Sequence, residues 1–333
     1  MATMNDIAKR LGISKGTVSK ALSGAEDVSE AMRKSVLETA VELGYSRISR
    51  SGSGKRLCIF IENMAYASED DFGWDIITGF RKLAEPADYQ VDVIPLNTEM
   101  QKEMHYDEYM LLNNYLGALF LGLTLLDPWI DDFKTCTSPT VLYDHRIKSN
   151  PFVSYVGIDN DEGMDMAVSH LIALGHRKIG YLSGALGSYI YQARYTAFFH
   201  ALEQNLLDAH QYLAGYSYRI SECLEQHLPR LLDKGCTAII CSHDLLAHML
   251  LIHCGELGIR IPEDMSIIGI DDIPLCRYTA PPLSTIQQNR TELGKCSFYA
   301  LSSQINQVPI STILLHAKLI ERASTGPVPK SKE

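Results

Sequence analysis

The chain contains no apolar run approaching the roughly 18 residues that a membrane span requires, and its first residues lead straight into a polar helical pattern with no secretory signal before it. Both absences point to a cytoplasmic protein with no membrane partner. The eight cysteines include no CxxC pair, and Cys58, Cys136 and Cys241 lie inside apolar runs, so they read as reduced thiols used as small core residues. A P-loop, a GxGxxG and a nucleophile elbow are all missing, which argues against an enzyme and leaves no signature calling for a cofactor. Cations are also in deficit, with 30 Lys and Arg against 40 Asp and Glu. Averaged over the chain, that balance would argue against a nucleic-acid binder.

The deficit is not evenly spread. Residues 1–56 carry ten Lys and Arg against six Asp and Glu, a charge of +4, and the remaining 277 carry −14. A small cationic head on an acidic body confines phosphate binding to the N-terminus. At 333 residues with 46% hydrophobic content the chain has room for two or three folding units with sizeable cores.

In the head, Thr3 and Asp6 have capping-box spacing, and Ile7, Ala8 and Leu11 share one helical face that Gly12 ends. Ser14 can cap a second helix with a buried stripe of Val18, Ala21 and Leu22. Lys15, Gly16, Thr17, Ser19 and Lys20 remain exposed, small, hydroxylated or cationic residues suited to a major groove and its phosphates. A third helix opens at Val28-Ser29 and keeps its period through Met32, Val36, Leu37, Ala40 and Val41 to Gly44. The segment from Ser46 to Arg56, SRISRSGSGKR, has no apolar rhythm and reads as a linker.

From Leu57 short apolar runs alternate with helical patterns. The expected units are Leu57–Ile61 with a helix near Asp71–Ala84, Gln90–Pro95 with Gln101–Tyr115, Ala118–Leu121 with Pro128–Cys136, and Thr140–Tyr143. The rhythm restarts at Tyr155–Ile158, followed by a helix near Glu162–Leu174 and runs at Lys178–Leu182, Ala238–Cys241 and Ser266–Ile270. Such spacing predicts two α/β subdomains, each a doubly wound parallel sheet, with ligands at the carboxyl ends of strands in the cleft between them.

These residues resemble the lactose-repressor/galactose-repressor (LacI/GalR) family of bacterial transcription regulators over nearly the whole length. The similar stretches are IAKRLGISKGTVSKALSG, Val28-Ser29 with Leu43-Gly44-Tyr45, Asp159-Asn160 with HLIALGHRKIGYLSG, Arg194 before AFFHAL, CSHDLLA, GIRIPEDMSIIGIDD, PPLSTIQQ and ERASTG. The resemblance implies a helix-turn-helix head over residues 1–46, a linker over 47–56, and a core over 57–333 like a periplasmic sugar-binding protein. Within that core it implies a first subdomain of about 57–155 plus 281–310 and a second of about 156–280 plus 311–326. It also implies a cytoplasmic, nucleoid-associated homodimer on operator DNA, the chain's end at PVPKSKE leaving no tetramerising coiled coil.

The candidate DNA-binding residues are Thr3, Ser14, Lys15, Gly16, Thr17, Ser19, Lys20, Ser23 and Arg47. Lys20 stands where the family often has Arg, and a lysine lacks the bidentate fork to guanine. Relatives also commonly have a hinge helix whose leucine wedges into the minor groove. Here the linker is shorter, Ile48 is its sole large apolar residue, and Gly52 and Gly54 disfavour helix. The expectation is a loosely tethered head without a regular hinge helix.

The candidate effector-binding residues are Phe72, Trp74, Asp144, Arg194, His243 and Asp271. Asp271 ends an apolar strand and Arg194 matches a family ligand arginine. A carboxylate opposed to a guanidinium suits the vicinal hydroxyls of a sugar or related polyol, or forms an interdomain salt bridge. His243, where the family commonly has Asn, can donate to a hydroxyl or stand as a helix N-terminal histidine. Phe72 and Trp74 read as stacking faces or as helix anchors, Asp144 as a further acceptor, and Tyr189, Tyr191, Tyr195, Tyr216 and Tyr218 as a pool supplying cleft residues. Cys241, His243, His248, His253 and Cys254 do not read as a metal site, since a spacing of five turns successive histidines by about 140°. Together these residues predict a repressor controlled by a small-molecule effector, with control by a protein partner, or a solute-binding or enzymatic use of the core, as alternatives.

Overall fold

Side-chain caps define each helix of the head. The computed structural model describes residues 2–45, 55–69, 71–143 and 145–329. Thr3 and Asp6 close a reciprocal capping box on α1 (Met4–Leu11), the Thr3 amide donating to Asp6 Oδ2 at 2.8 Å, and Gly12 ends the helix at φ +66°. Ser14 Oγ accepts from the Thr17 amide at 3.0 Å to start α2 (Lys15–Leu22), and Ser29 Oγ from Met32 to start α3 (Glu30–Glu42). Ile7, Val18, Ala21, Leu22, Val36, Leu37 and Ala40 close the small core between them.

The core follows as β1 (Lys55–Ile61), α4 (Phe72–Ala84), β2 (Tyr89–Pro95), α5 (Thr98–Glu103), α6 (Tyr106–Leu112), β3 (Ala118–Leu121), α7 (Trp129–Asp132), β4 (Thr140–Leu142), β5 (Val153–Ile158) and α8 (Asn160–Ala173). It continues with β6 (Ile179–Gly184), α9 (Tyr189–Gln204), β7 (Ala214–Ser217), α10 (Ile220–Asp233), β8 (Ala238–Cys241), α11 (Asp244–Glu256), β9 (Ser266–Asp271), β10 (Ser284–Gln287), α12 (Arg290–Ile305), β11 (Thr312–Leu315) and β12 (Lys318–Ile320). Two six-stranded sheets result, ordered β11-β5-β4-β3-β1-β2 and β12-β10-β9-β8-β6-β7. The chain divides into a first unit, comprising the residues up to Ala67 with Gly73–Val156 and Thr291–Ile313, and a second of Ser68–Phe72, Gly157–Arg290 and Leu314 onward.

The first unit's core is aromatic. Phe60, Tyr106, Phe120, Trp129 and Phe133 meet with ring centroids about 5 Å apart in mostly edge-on pairs, the arrangement that ring quadrupoles favour. The second unit's core is aliphatic and includes Cys223, Cys236, Cys241, Cys254 and Cys276 as buried free thiols. Its closing segment is stitched down by a buried imidazole: His176 meets Thr237 Oγ1 at 2.8 Å, Ser266 Oγ at 3.0 Å and the Gly326 carbonyl at 3.1 Å. The stretches around GHRKIG and ERASTG are thus two halves of one polar clasp.

Several expectations are corrected. The single helix expected over Gln101–Tyr115 is broken into α5 and α6, because the Trp129 indole donates to the Met104 carbonyl at 2.9 Å and Asp132 accepts from the Tyr106 amide at 2.8 Å. Distant side chains take the groups that a continuous helix would have paired. The helix expected over Pro128–Cys136 shrinks to the single turn of α7, and β7 was not foreseen. The return to the first unit comes at Thr291 rather than after Pro281, since Ser284–Gln287 pairs in parallel with β9. Strand β11, expected in the second sheet, lies beside β5, and the second sheet is closed by β12, antiparallel to β10. Residues 46–54, with Arg47 and Ile48, and Asp144 lie outside the described residues.

Candidate functional sites

On the head, the described DNA-binding candidates lie in α1, α2 and their caps. Thr3 is the α1 cap; Ser14 caps α2, and its hydroxyl is 2.9 Å from Thr17 Oγ1. Lys15 and Gly16 are exposed in the first turn, and Ser23 at the other end hydrogen-bonds the Lys20 carbonyl at 3.0 Å. Lys20 is exposed and bonds to Asp27, which holds the Asp27 carboxyl below its usual range through that hydrogen bond. The sequence reading missed Asp27 because nothing in the helical period connects it to α2.

In the second unit, β6 lies between β7 and β8, so the connections β6–α9–β7 and β7–α10–β8 leave opposite faces of the sheet. This is the switch point where doubly wound sheets open a crevice. Arg194, in the second turn of α9, is buried there. Its Nη2 donates to Asp271 Oδ1 at 3.2 Å, its Nε to Asn160 Oδ1 at 3.3 Å, and its Nη1 to the Ser242 carbonyl. Gln288 donates to the same Asp271 oxygen. Among the described residues no hydrogen bond reaches the other carboxylate oxygen, Oδ2.

His243 caps α11 by accepting the Leu246 amide on Nδ1 at 3.2 Å, so its neutral ring carries the proton on Nε2. Burial lowers its pKa, and the neutral form is the one the site holds. Its ring centroid lies 5.8 Å from that of Tyr191. Asp244, next in sequence, is buried, accepts from the Ile273 amide at 3.0 Å and from Thr285 Oγ1 at 2.6 Å, and is pushed above the usual carboxylate range by burial and by Asp271. Gly269 makes room for it; a Cβ there would stand 2.1 Å from Asp244 Oδ1.

Asp271 and Asp272 have φ of +126° and +53°, two consecutive non-glycine residues in the positive region. The turn sends them apart: Asp272 is paired with Arg322 at 2.6 Å and Gln287 at 2.7 Å, leaving Asp271 to Arg194 and Gln288. Phe72 is stacked by the Arg290 guanidinium at 5.3 Å, and Arg290 reaches the Asp271 carbonyl at 3.4 Å. Phe72, Arg194, His243 and Asp271 therefore fall in one unit. Trp74 is half-buried in the first turn of α4 and belongs to the other. Asn160, Ser242, Asp244 and Gln288 were not singled out from sequence, their side chains being ordinary strand-end and capping residues until the sheet gathers them.

The first unit has its own switch point, with β1 between β2 and β3. Gly122 follows β3 at φ +83°, and a Cβ there would stand 1.6 Å from the Glu62 carbonyl. Glu62 shares the buried Gln101 amide with Asp127, at 3.4 Å and 3.0 Å. Asp127 also accepts from the Thr124 amide and hydroxyl.

The residues 3–47 match the model of the bacterial regulatory proteins of the lacI family, and residues 168–325 match that of the periplasmic binding protein-like domain. The head is that of the lacI family of bacterial regulatory proteins. It is 29% identical to the HTH-type transcriptional repressor CytR of Escherichia coli K12 over 98% of this chain and 97% of that one. It is likewise 29% identical to the repressor PurR of Mannheimia succiniciproducens, covering 97% and 98%. Among solved structures, the regulator CelR in complex with cellobiose aligns with a TM-score of 0.69 at 23% identity, covering 97% of this chain and 100% of that one. The lac repressor dimer bound to operator and the anti-inducer ONPF aligns at 0.66 and 23%, covering 98% and 99%. The shared fold is the head followed by two parallel-sheet subdomains. No helix among the described residues is long and apolar enough to cross a membrane.

Burial, with Asp127 beside it, raises the Glu62 carboxyl from about 4.5 to about 7. Below about 4.5 the group is protonated folded and unfolded alike; from there to about 7 only the folded chain holds the proton, so this group makes stability fall as pH rises. Glu62→Gln is expected to flatten that decline in Tm measured against pH. An unchanged slope would overturn the assignment.

Proposed function

We propose that the chain is a transcriptional repressor whose operator affinity is set by a polyhydroxylated small molecule, a sugar or related polyol, held at the switch point of the second sheet. The observation that carries this reading is the pairing of a neutral donor, His243 Nε2–H, with an acceptor, Asp271 Oδ2, around a buried guanidinium. One group accepts and the other donates, which is what adjacent hydroxyls require. Strain at Asp271 supports the same reading, because positive φ at a non-glycine residue clusters at ligand sites. Phe72, stacked by Arg290, would supply an apolar face for a ring. Trp74 and Asp144 remain candidates from the first unit.

On the head, Lys15, Gly16 and Lys20 would face bases, and Thr17, Ser19 and the caps Thr3, Ser14 and Ser23, with Arg47 of the linker, would hold phosphates. Lys20 must leave Asp27 to do so. The family relationship favours a homodimer, and α11 carries an exposed apolar stripe of Leu245, Met249 and Ile252 at helical spacing, with Tyr278 82% exposed in the same unit. We infer that a second copy covers this stripe.

Thermal shifts of the full chain with mono- and disaccharides and nucleosides, all bearing vicinal hydroxyls, test the ligand. A true effector at about 100 times its Kd should stabilise by about 2.7 kcal/mol, and Asp271→Asn, itself less stable for want of Arg194's carboxylate partner, should show no such shift. A shift that survives Asp271→Asn would move the site elsewhere, and no response across the panel would favour control by a protein partner.

With an operator selected from random DNA, Lys20→Ala should cost roughly 1–3 kcal/mol of specific binding. Asp27→Asn, freeing Lys20 from an exposed ion pair, should strengthen it modestly. Equal affinity for all three proteins would remove Lys20 from the interface. Light scattering should give a dimer that Met249→Glu splits to monomers; a monomeric or tetrameric wild type would count against the stripe.

A further inference from the structure

The head does not stand alone in the structure. Helix α3 packs against α6 of the same unit, and Leu111, 9% exposed, is buried among the head's own apolar residues, with Leu112 half-buried beside it. Val41, Gly44 and Tyr45 line one side of a groove of about 370 Å³ whose other side is formed by Met110, Leu111 and Tyr115. The contact uses the face of α3 at the end of the head, and Lys15, Gly16 and Lys20 stay exposed. We propose that α3 has a second task, docking the head on α6 of its own chain, so that α2 and its exposed Lys15, Gly16 and Lys20 are oriented by this contact and not by the linker.

Two features of the contact make it reversible. Its apolar part is small, centred on Leu111, Leu112 and Val41. Its rim is acidic: Glu38 and Glu42 on α3 meet Asp107 and Glu108 on α6 and Asp132 on α7, with Lys34 and His105 as the cations nearby. His105 is held by Asp132 at 3.1 Å, which raises its pKa. Glu108 is buried under the contact, and burial, opposed by His105 and reinforced by Glu38, raises its carboxyl above the usual range. A docked head therefore holds protons that a released head gives up, and docking weakens as pH rises. Burial of Leu111 and Leu112 opposes the like charges.

Nitrogen-15 relaxation of the full chain without DNA tests this. In the wild type, amides of residues 2–45 should tumble with the core at the acid end of the range in which the chain stays folded, and a sharp, independently tumbling set should grow as pH is raised beyond the ordinary glutamate range. Leu111→Asp from the core side and Val41→Asp from the head side should each release a folded head at every pH. Glu108→Gln should keep it docked and remove the pH dependence. A wild-type head tumbling independently at every pH overturns the proposal, as does a head that stays docked in both Asp variants. Chemical-shift dispersion of residues 2–45 separates release from unfolding, and if one Asp variant unfolds the head, the wild type and Glu108→Gln decide.

Discussion

A guanidinium buried at the end of a β-sheet must have its donors satisfied, and the second unit is arranged to satisfy that of Arg194. Its partners come from the start of α8, the end of β8 and the end of β9: Asn160, the Ser242 carbonyl and Asp271. Removing one partner from such a buried pair costs about 3–5 kcal/mol, because the remaining charge is left without compensation. The strand ends around the switch point are consequently held to one another through this side chain. The strained turn at Asp271 and Asp272 persists because Arg194 and Gln288 pull one carboxylate and Arg322 and Gln287 the other.

The consequence is a site whose charges are balanced internally and whose remaining valences are directional. Arg194 offsets the charge of Asp271, and among the described residues no hydrogen bond is made to Asp271 Oδ2 or His243 Nε2, one an acceptor and the other a donor. Asp244 lies just behind, backed by the absence of a side chain at Gly269. For the effector proposed here, such an arrangement would select by hydrogen-bond geometry more than by charge. The first unit handles a similar position differently, placing two carboxyls about one amide, Gln101, so that burial keeps a proton on the pair.

The head shows how local and tertiary terms combine. Caps and apolar stripes make α1, α2 and α3 form where they do, and those signals are all within a few residues of one another. The loosely tethered head expected from a short Gly/Ser linker meets a different arrangement: α3 has an apolar edge beyond what its own core needs, and Leu111 covers it. A chain with little room for an ordered hinge can position its head by surface contact instead.

Local signals were legible without coordinates: the helix caps, the βα rhythm, the charge split, and the motifs that carry Arg194, His243 and Asp271. These depend on neighbours within a turn or a strand, where chemistry and spacing dictate the outcome. What the tertiary structure decided depends on neighbours far apart in the chain. The break between α5 and α6 follows from Trp129 and Asp132, and the placement of β10 and β11 from which edge each strand finds, since an apolar strand pattern records burial but not its partner. Asn160, Ser242 and Gln288 became parts of a site only when three strand ends and a helix start met around one guanidinium.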